Sequence, residues 1–416
     1  MYEYGKLSLI ADIGKQLREK IELILNDLMD YAEIMTELDS YKLFNGDIDK
    51  ISNIIKNDPS TLTILNEVDI PLEPVNLIMS PKINPDSTDA RTRNIIIGVD
   101  SSWIKPDVHI KPLVSVMNVV TFVYAPKVIT RGYKIDNIAE VKIGKELFVR
   151  RSQQRNSWHI MKEVDLEIWQ FELMEKLIEK IIRDLDKDKK VFLLYDGSLS
   201  IPYAGNYSTE DQELLVSALR RFIDNMKRLN VTPIGVYHSL SRGFLNALIR
   251  GVICVSELSC NRCILEKGDN SPCLKYSIIN DKNLFLKRLK VYERGPLFQV
   301  HNLVLEHNRN IDIKGFYIKV DEDNIMRVEI PGWASSHIDD IHLSIASQIS
   351  LLQQVKGKGY PYVLLRAHEN AILRTIDKEL IYNLIREELK KVSEEKNITL
   401  TVKETGKLFY KKHGVL

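Results

Sequence analysis

The sequence predicts an α/β fold. Short apolar runs that read as strands alternate with longer stretches whose apolar residues recur at three- and four-residue steps, the pattern of amphipathic helices packed on a sheet. Two of the runs end at matched positions, each on an aspartate followed by a turn-forming pair: Asp100-Ser101-Ser102 and Asp196-Gly197-Ser198. Four prolines, Pro71, Pro74, Pro81 and Pro85, punctuate the segment ahead of these runs. They disfavour helix there and mark a boundary.

Ahead of the prolines, residues 6–38 carry Leu9, Ile13, Leu17, Ile21, Ile24, Leu28, Tyr31 and Ile34 at helical spacing. This predicts a long amphipathic helix that packs on its own core, or serves as a docking surface for a second copy or a partner. Residues 1–90 therefore read as an N-terminal helical arm with an extended connector, and 91–416 as the main domain. In that domain the spacing predicts strands at 95–99, 114–124, 127–130, 191–195, 232–237, 316–320 and 326–330, and a short apolar strand at 362–365 leading to His368. Helices are predicted at 163–185, 209–229, 338–355 and 378–391. Residues 250–330 break the alternation and read as an insertion holding all four cysteines and a basic patch.

A length of 416 residues allows a sizeable core plus appendages. With 44% hydrophobic and 28% charged residues the chain reads as globular. Its longest apolar runs are too short to span a bilayer. Met1-Tyr2-Glu3-Tyr4-Gly5-Lys6 lacks the basic start and apolar stretch of a secretion signal, so a cytoplasmic location is expected. A formal charge of +1 provides no global field for nucleic acid, so any such contact must come from local patches. One candidate patch holds Lys142, Lys145, Arg150, Arg151 and Arg155 beside Phe148 and Trp158. The other holds Lys287, Arg288, Lys290 and Arg294 beside Phe285 and Tyr292. Cations pair with phosphates and aromatic faces stack on bases, although such runs are also common on solvated surfaces.

Strand ends along one edge of an α/β sheet are where ligands bind. Carboxylates on neighbouring strand ends can share a hard cation such as Mg²⁺ or Mn²⁺. Ions held this way activate water and stabilise the leaving oxygen in phosphodiester cleavage. Taken singly, each aspartate is equally explained as a turn or helix cap.

Four pieces of the chain together resemble the NurA family of archaeal and bacterial DNA-repair nucleases: Gly98-Val99-Asp100-Ser101-Ser102, Leu194-Tyr195-Asp196-Gly197-Ser198-Leu199, Gly235-Val236-Tyr237-His238-Ser239, and Gly359-Tyr360-Pro361-Tyr362 through Ala367-His368-Glu369. The resemblance covers about residues 94–375. It implies a ribonuclease-H-like core, a mixed sheet flanked by helices. It also implies a manganese- or magnesium-dependent 5′-to-3′ exonuclease with single-strand endonuclease activity. Such a protein would be a homodimer working with a HerA-type hexameric ATPase in resection of broken DNA ends. Asp100 and Asp196 match the family's strand-end metal ligands, and His368 its C-terminal histidine. A helix glutamate completes the family's site; Glu172 in Phe171-Glu172-Leu173 fits best, with Glu179 and Glu175 as alternatives. One departure stands out: His238 occupies a position that is lysine in many relatives, and Arg242 is expected to supply the missing charge. That departure keeps open an inactive DNA-binding ring or ATPase scaffold. An actin-like phosphotransferase is a further alternative.

Cys254, Cys260, Cys263 and Cys273 fall within twenty residues. Cys-x₂-Cys suits a structural zinc site, but the overall spacing also leaves unlinked thiols and disulfides open.

Overall fold

The computed structural model describes residues 13–18, 20–21, 29, 31–36 and 47–396, except 107–112, 152–157, 186–188, 255–258, 303–310 and 356–358. Eleven strands are present among these residues: β1 (Glu67–Pro71), β2 (Ile95–Ile104), β3 (Val114–Tyr124), β4 (Tyr133–Ile143), β5 (Phe148–Arg150), β6 (Trp158–Ile160), β7 (Val191–Asp196), β8 (Val231–Tyr237), β9 (Phe298–Asn302), β10 (Ile313–Lys319) and β11 (Ile325–Pro331). Nine form one mixed sheet in the order β1-β9-β10-β11-β8-β7-β2-β3-β4, and β5-β6 is a separate hairpin.

Five neighbouring strands, β4-β3-β2-β7-β8, are the ribonuclease-H-like core. β2, β3 and β4 form an antiparallel meander, and β7 and β8 then run parallel to β2. Parallel neighbours require helical crossovers. α3 (Glu163–Arg183) precedes β7 and α4 (Thr209–Arg228) joins β7 to β8. Ahead of them, α1 (Ile48–Asn57) and α2 (Ser60–Leu65) lead into β1; α5 (Gly243–Leu248) and α6 (Cys260–Lys267) follow β8. The chain closes with α7 (Ile338–Val355), α8 (Tyr362–Ala371) and α9 (Thr375–Lys396).

The central strands are covered on both faces, so their side chains alternate between two cores. Ile95, Ile97, Val99 and Leu193 pack with α3 and α4 residues such as Phe171, Leu177 and Phe222. Ile96, Phe192, Leu194, Ile234 and Val236 pack with Ile341, Ile345, Val363, Leu364 and Ala367 of α7 and α8. No described helix is long and apolar enough to cross a membrane.

Several expectations change. Residues 127–130 form a turn rather than a strand, and the strand that follows is β4. β4 escapes a search for buried runs because it is the sheet edge: Tyr133, Ile135, Val141 and Ile143 remain substantially exposed. The apolar stretch 362–365 is the start of α8. Pro361 supplies its N-terminal boundary, and Val363, Leu364, Ala367 and Ala371 are buried at helical spacing. The proline-rich connector contributes β1, with Pro71 at its last position, paired only with β9. Proline is tolerated at such an edge. β9, β10 and β11 belong to the main sheet, so within 250–330 the part that departs from it is the cysteine segment. Of the expected N-terminal helix, 13–18, 21, 29 and 31–36 are helical and 20 is a turn, with Ile34 and Met35 buried and Ile13, Leu17 and Ile21 exposed; the rest lies outside the described residues.

Candidate active site

Alternation along β2 carries Asp100 to the face shared by Ile96 and Gly98, toward α8. There His368 Nδ1 lies 2.7 Å from Asp100 Oδ2, and the Ser101 N–H donates to Oδ1 at 2.7 Å. One strand over, β7 ends in the exposed Asp196. The Tyr360 hydroxyl, two residues ahead of α8, donates a hydrogen bond to its carboxylate. The two aspartates are close enough to interact. Burial raises the Asp100 pKa, the His368 and Ser101 hydrogen bonds oppose this, and the nearby Asp196 charge raises it further; the net shift is upward.

The register of α8 is set by small groups. A Cβ on Gly98 would stand 2.3 Å from the Val363 carbonyl oxygen. Only glycine therefore lets the start of α8 lie on β2. The far end of α8 is tied down by Ser102, whose Oγ donates to the Ala371 carbonyl at 2.6 Å and accepts from the Leu373 N–H at 3.0 Å. Asn118 Nδ2 donates to the same carbonyl at 3.1 Å. Between these anchors sits His368. Gly98→Ala is expected to destabilise the protein by about 1–3 kcal/mol, because overpacking must shift helix backbone rather than a side chain. A urea melt measures this; an unchanged midpoint would contradict the close packing.

The loop after Asp196 is equally constrained. A Cβ on Gly197 would meet the Tyr195 ring at 2.6 Å. Ser198 Oγ donates to Glu329 at 2.8 Å, and Ser200 donates to Glu329 through both its N–H and Oγ at 2.9 Å. Burial works against a charge on Glu329, yet Arg327 and the donated hydrogen bonds hold its carboxyl below the usual range. The serine of Asp-Gly-Ser-Leu thus anchors the loop that presents Asp196.

Residues 94–372 match the family model for the NurA domain. The chain belongs to the NurA family. Among solved structures it is similar to the NurA nuclease from Sulfolobus solfataricus, at 15% identity and TM-score 0.47, covering 90% of this chain and 97% of that one. It is also similar to a NurA bound to dAMP and manganese, at 14% identity and TM-score 0.32, covering 86% and 94%. The catalytic domain of human endonuclease V follows at 11% identity and TM-score 0.30, covering 82% and 98%. No curated protein matches by sequence. The family assignment rests on the sequence match.

The NurA residues read from the sequence fall into two groups. Asp100, Asp196 and His368 are brought together. Glu172 is not. It lies along α3 toward α4, with Arg221 Nη2 4.0 Å from its carboxylate. Glu175 accepts from Asn225 at 2.6 Å and Glu179 from Arg228 at 3.0 Å, both on α4. An α3 carboxylate that shares a neighbour with both aspartates, Tyr195, is Glu167, which the sequence reading passed over. It accepts from the Tyr203 and Tyr207 hydroxyls at 2.9 and 3.0 Å. It also neighbours the Tyr195 hydroxyl, which in turn senses Asp196 and Asp100. Burial raises the Glu167 pKa against those two tyrosine hydrogen bonds. Topology was the missing signal: α3 leads back to the start of β7, so its N-terminal turns lie toward the Asp196 end of the sheet.

Among the basic candidates, Arg151 is committed elsewhere. It bridges Asp165 at 2.6 Å and Asp211 at 2.7 Å, locking the first turns of α3 and α4 together. Arg242 does not supply the expected charge beside His238; its guanidinium donates to the Cys273 and Tyr276 carbonyls at 3.3 and 2.9 Å. Arg294 is buried against Glu73 at 2.7 Å. Arg150, Lys287 and Lys290 are exposed and Arg288 is half-buried; Arg155 lies outside the described residues. His238 stacks near Tyr360, with ring centroids 6.4 Å apart, beside the tyrosine that touches Asp196.

Oxygen donors from two carboxylates fit a hard divalent cation. Such an ion would offset the burial and the nearby Asp196 charge that together disfavour ionised Asp100. The side chains stand near one another without closing on a centre: among the described residues, no group of three or more His, Cys, Asp or Glu is arranged to hold an ion as it stands.

Proposed function

We propose that this NurA protein is a divalent-metal-dependent deoxyribonuclease whose reaction centre lies between Asp100 and Asp196. The observation that carries the reading is their placement on adjacent parallel strands, with His368 bonded to Asp100 and Tyr360 to Asp196. Asp100 and Asp196 would hold Mn²⁺ or Mg²⁺, with Glu167 as the helix carboxylate in place of Glu172. Bound there, the ion supplies Lewis acidity toward a phosphoryl oxygen. His368, half exposed at the mouth, is placed to orient Asp100 and to exchange a proton with solvent. Arg150, Lys287, Arg288 and Lys290 are candidates to guide the strand, and His238 to stack or pair beside it.

The finer reading follows the family resemblance. The protein would act as a 5′-to-3′ exonuclease and single-strand endonuclease. It would work as a homodimer with a HerA-type ATPase, resecting DNA ends in the cytoplasm.

The test is cleavage of single- and double-stranded DNA by the full chain with Mn²⁺, and its loss on chelation. Glu167→Gln is expected to slow cleavage about tenfold or more, or ~1.4 kcal/mol, while Glu172→Gln stays near parent. The reverse ranking would return the role to Glu172. A parent chain that binds DNA but leaves it intact under Mn²⁺ would favour the scaffold reading, and nucleotide binding in calorimetry the actin-like one.

A further inference from the structure

The four cysteines line a small cavity whose walls include none of Asp100, Asp196 and His368, and the proposed reaction uses none of them. No disulfide joins them. Ile64, Leu65, Ile249, Arg250, Ile264 and Pro272 complete the lining of the cavity. Its volume is about 20 Å³. A single water-sized sphere needs ~10–15 Å³, so an ion fits the cavity.

We propose that Cys254, Cys260, Cys263 and Cys273 form a structural zinc site that clips together the segment after β8 where it packs beside α2. The local geometry fits a thiolate clip. Ser259 caps α6, its Oγ accepting from the Arg262 N–H at 3.3 Å. Cys260 opens the helix and Cys263 follows three residues later, placing both on one face. Cys273 lies in the next short helix, Pro272–Lys275, and Cys254 ends the turn that continues α5. The buried Arg250 sets positive charge beside the thiolates; it pairs with Asp58 at 3.2 Å and donates to the Cys254 carbonyl at 3.3 Å. Asp58 also accepts from the Cys260 N–H at 2.9 Å, tying the site to the turn before α2.

A second observation shows why the segment needs such a clip. Neither α6 nor the Pro272–Lys275 helix buries a single residue. Leu265 is 86% exposed and Leu274 is 48% exposed. Helices this short are marginal without packing, so these two, tied to the core only through flanking residues such as Ser271 and Tyr276, gain from a staple. Tetrahedral Zn–S bonds supply folding energy directly. As they stand the thiols, among the described residues, do not close on a centre. Cys260, Cys263 and Cys273 sit on the two short helices that bury no residue, so these are the elements that would shift to close the site. The clip also steadies the loop after His238, since Arg242 donates to the Cys273 and Tyr276 carbonyls.

Metal analysis of the full chain, purified without chelator, decides the matter. The expected result is about one zinc per chain. It should be released when the thiols are blocked by a mercurial, retained in Asp196→Asn and lost in the double variant Cys260→Ser/Cys263→Ser. A zinc-free parent whose thiols all react with a disulfide reagent would overturn the proposal. So would iron in place of zinc, a Cys–Cys disulfide in the peptide map, or zinc that survives the cysteine variant but leaves with Asp196. The readout is metal content, so failure of the nuclease reading would not be mistaken for failure of this one.

Discussion

Asp196→Asn is expected to remove Mn²⁺-dependent cleavage by at least about a thousandfold, or ~4 kcal/mol of transition-state stabilisation at 1.36 kcal/mol per tenfold. The reason is local. Asp196 stands at the last position of β7 and shares its surroundings with Asp100. An amide keeps the shape and remains able to accept from Tyr360, but loses the charge that pairs with a divalent ion. The fold should not suffer: the carboxylate is exposed, and the following loop is anchored by Ser198 and Ser200 rather than by Asp196. The measurement is single-turnover cleavage alongside a thermal melt. Loss of cleavage with an unchanged melting temperature supports a role in metal binding. Full activity in Asp196→Asn would sink the assigned centre.

The largest expected effect on stability comes from Arg327→Met. Arg327 is fully buried and donates to Asp69, to Tyr317 at 3.0 Å and to Glu329 at 2.8 Å, with Glu67 3.2 Å away. Asp69 and Glu329 are also fully buried. Burial already pushes Glu67 up to about 7 and Asp69 up to about 6, against the pull of the arginine. Removing that charge strands several carboxylates in a low-dielectric interior, at a cost of about 3–5 kcal/mol. The loss should spread to the site, because Glu329 holds Ser198 and Ser200 and so the loop behind Asp196. A urea melt measures the effect. Adding Asp69→Asn and Glu329→Gln to Arg327→Met should recover part of the stability, since those carboxylates then carry no charge to strand. No recovery in the triple variant would mean that the arginine acts by packing instead.

Much of this molecule was open to inspection before it was folded. Helical spacing located α3, α4 and α7, because an amphipathic face repeats whatever it packs against. Apolar runs located β2, β3, β7 and β8, because strands covered on both faces are nearly continuous in hydrophobic residues. Asp196 followed from the end of β7; Asp100 instead lies within β2, one residue past the point where its pairing with β7 stops. β11 shows where this reasoning stops. Ile325-Met326-Arg327-Val328-Glu329-Ile330 alternates as a half-exposed strand would, yet every residue in it is buried. Its charges are satisfied by Asp69, Glu67 and Ser198, whose approach no local pattern announces.

The same limit separates the candidate residues. The order of the chain alone paired two aspartates with a histidine behind them and expected both at strand ends. Asp196 does end β7, but β2 continues through Ser101 and Ser102 to Ile104 because β3 goes on pairing with it, so Asp100 lies mid-strand. Only the packed structure decided that Glu172 faces Arg221 of α4 while Glu167 receives the Tyr203 and Tyr207 hydroxyls, that Arg151 and Arg242 are spent on carboxylates and carbonyls, and that four cysteines line one small cavity. Periodicity fixes the direction of a side chain relative to its own helix or strand. What stands opposite depends on how those elements cross, and that is set by contacts between residues far apart in the chain.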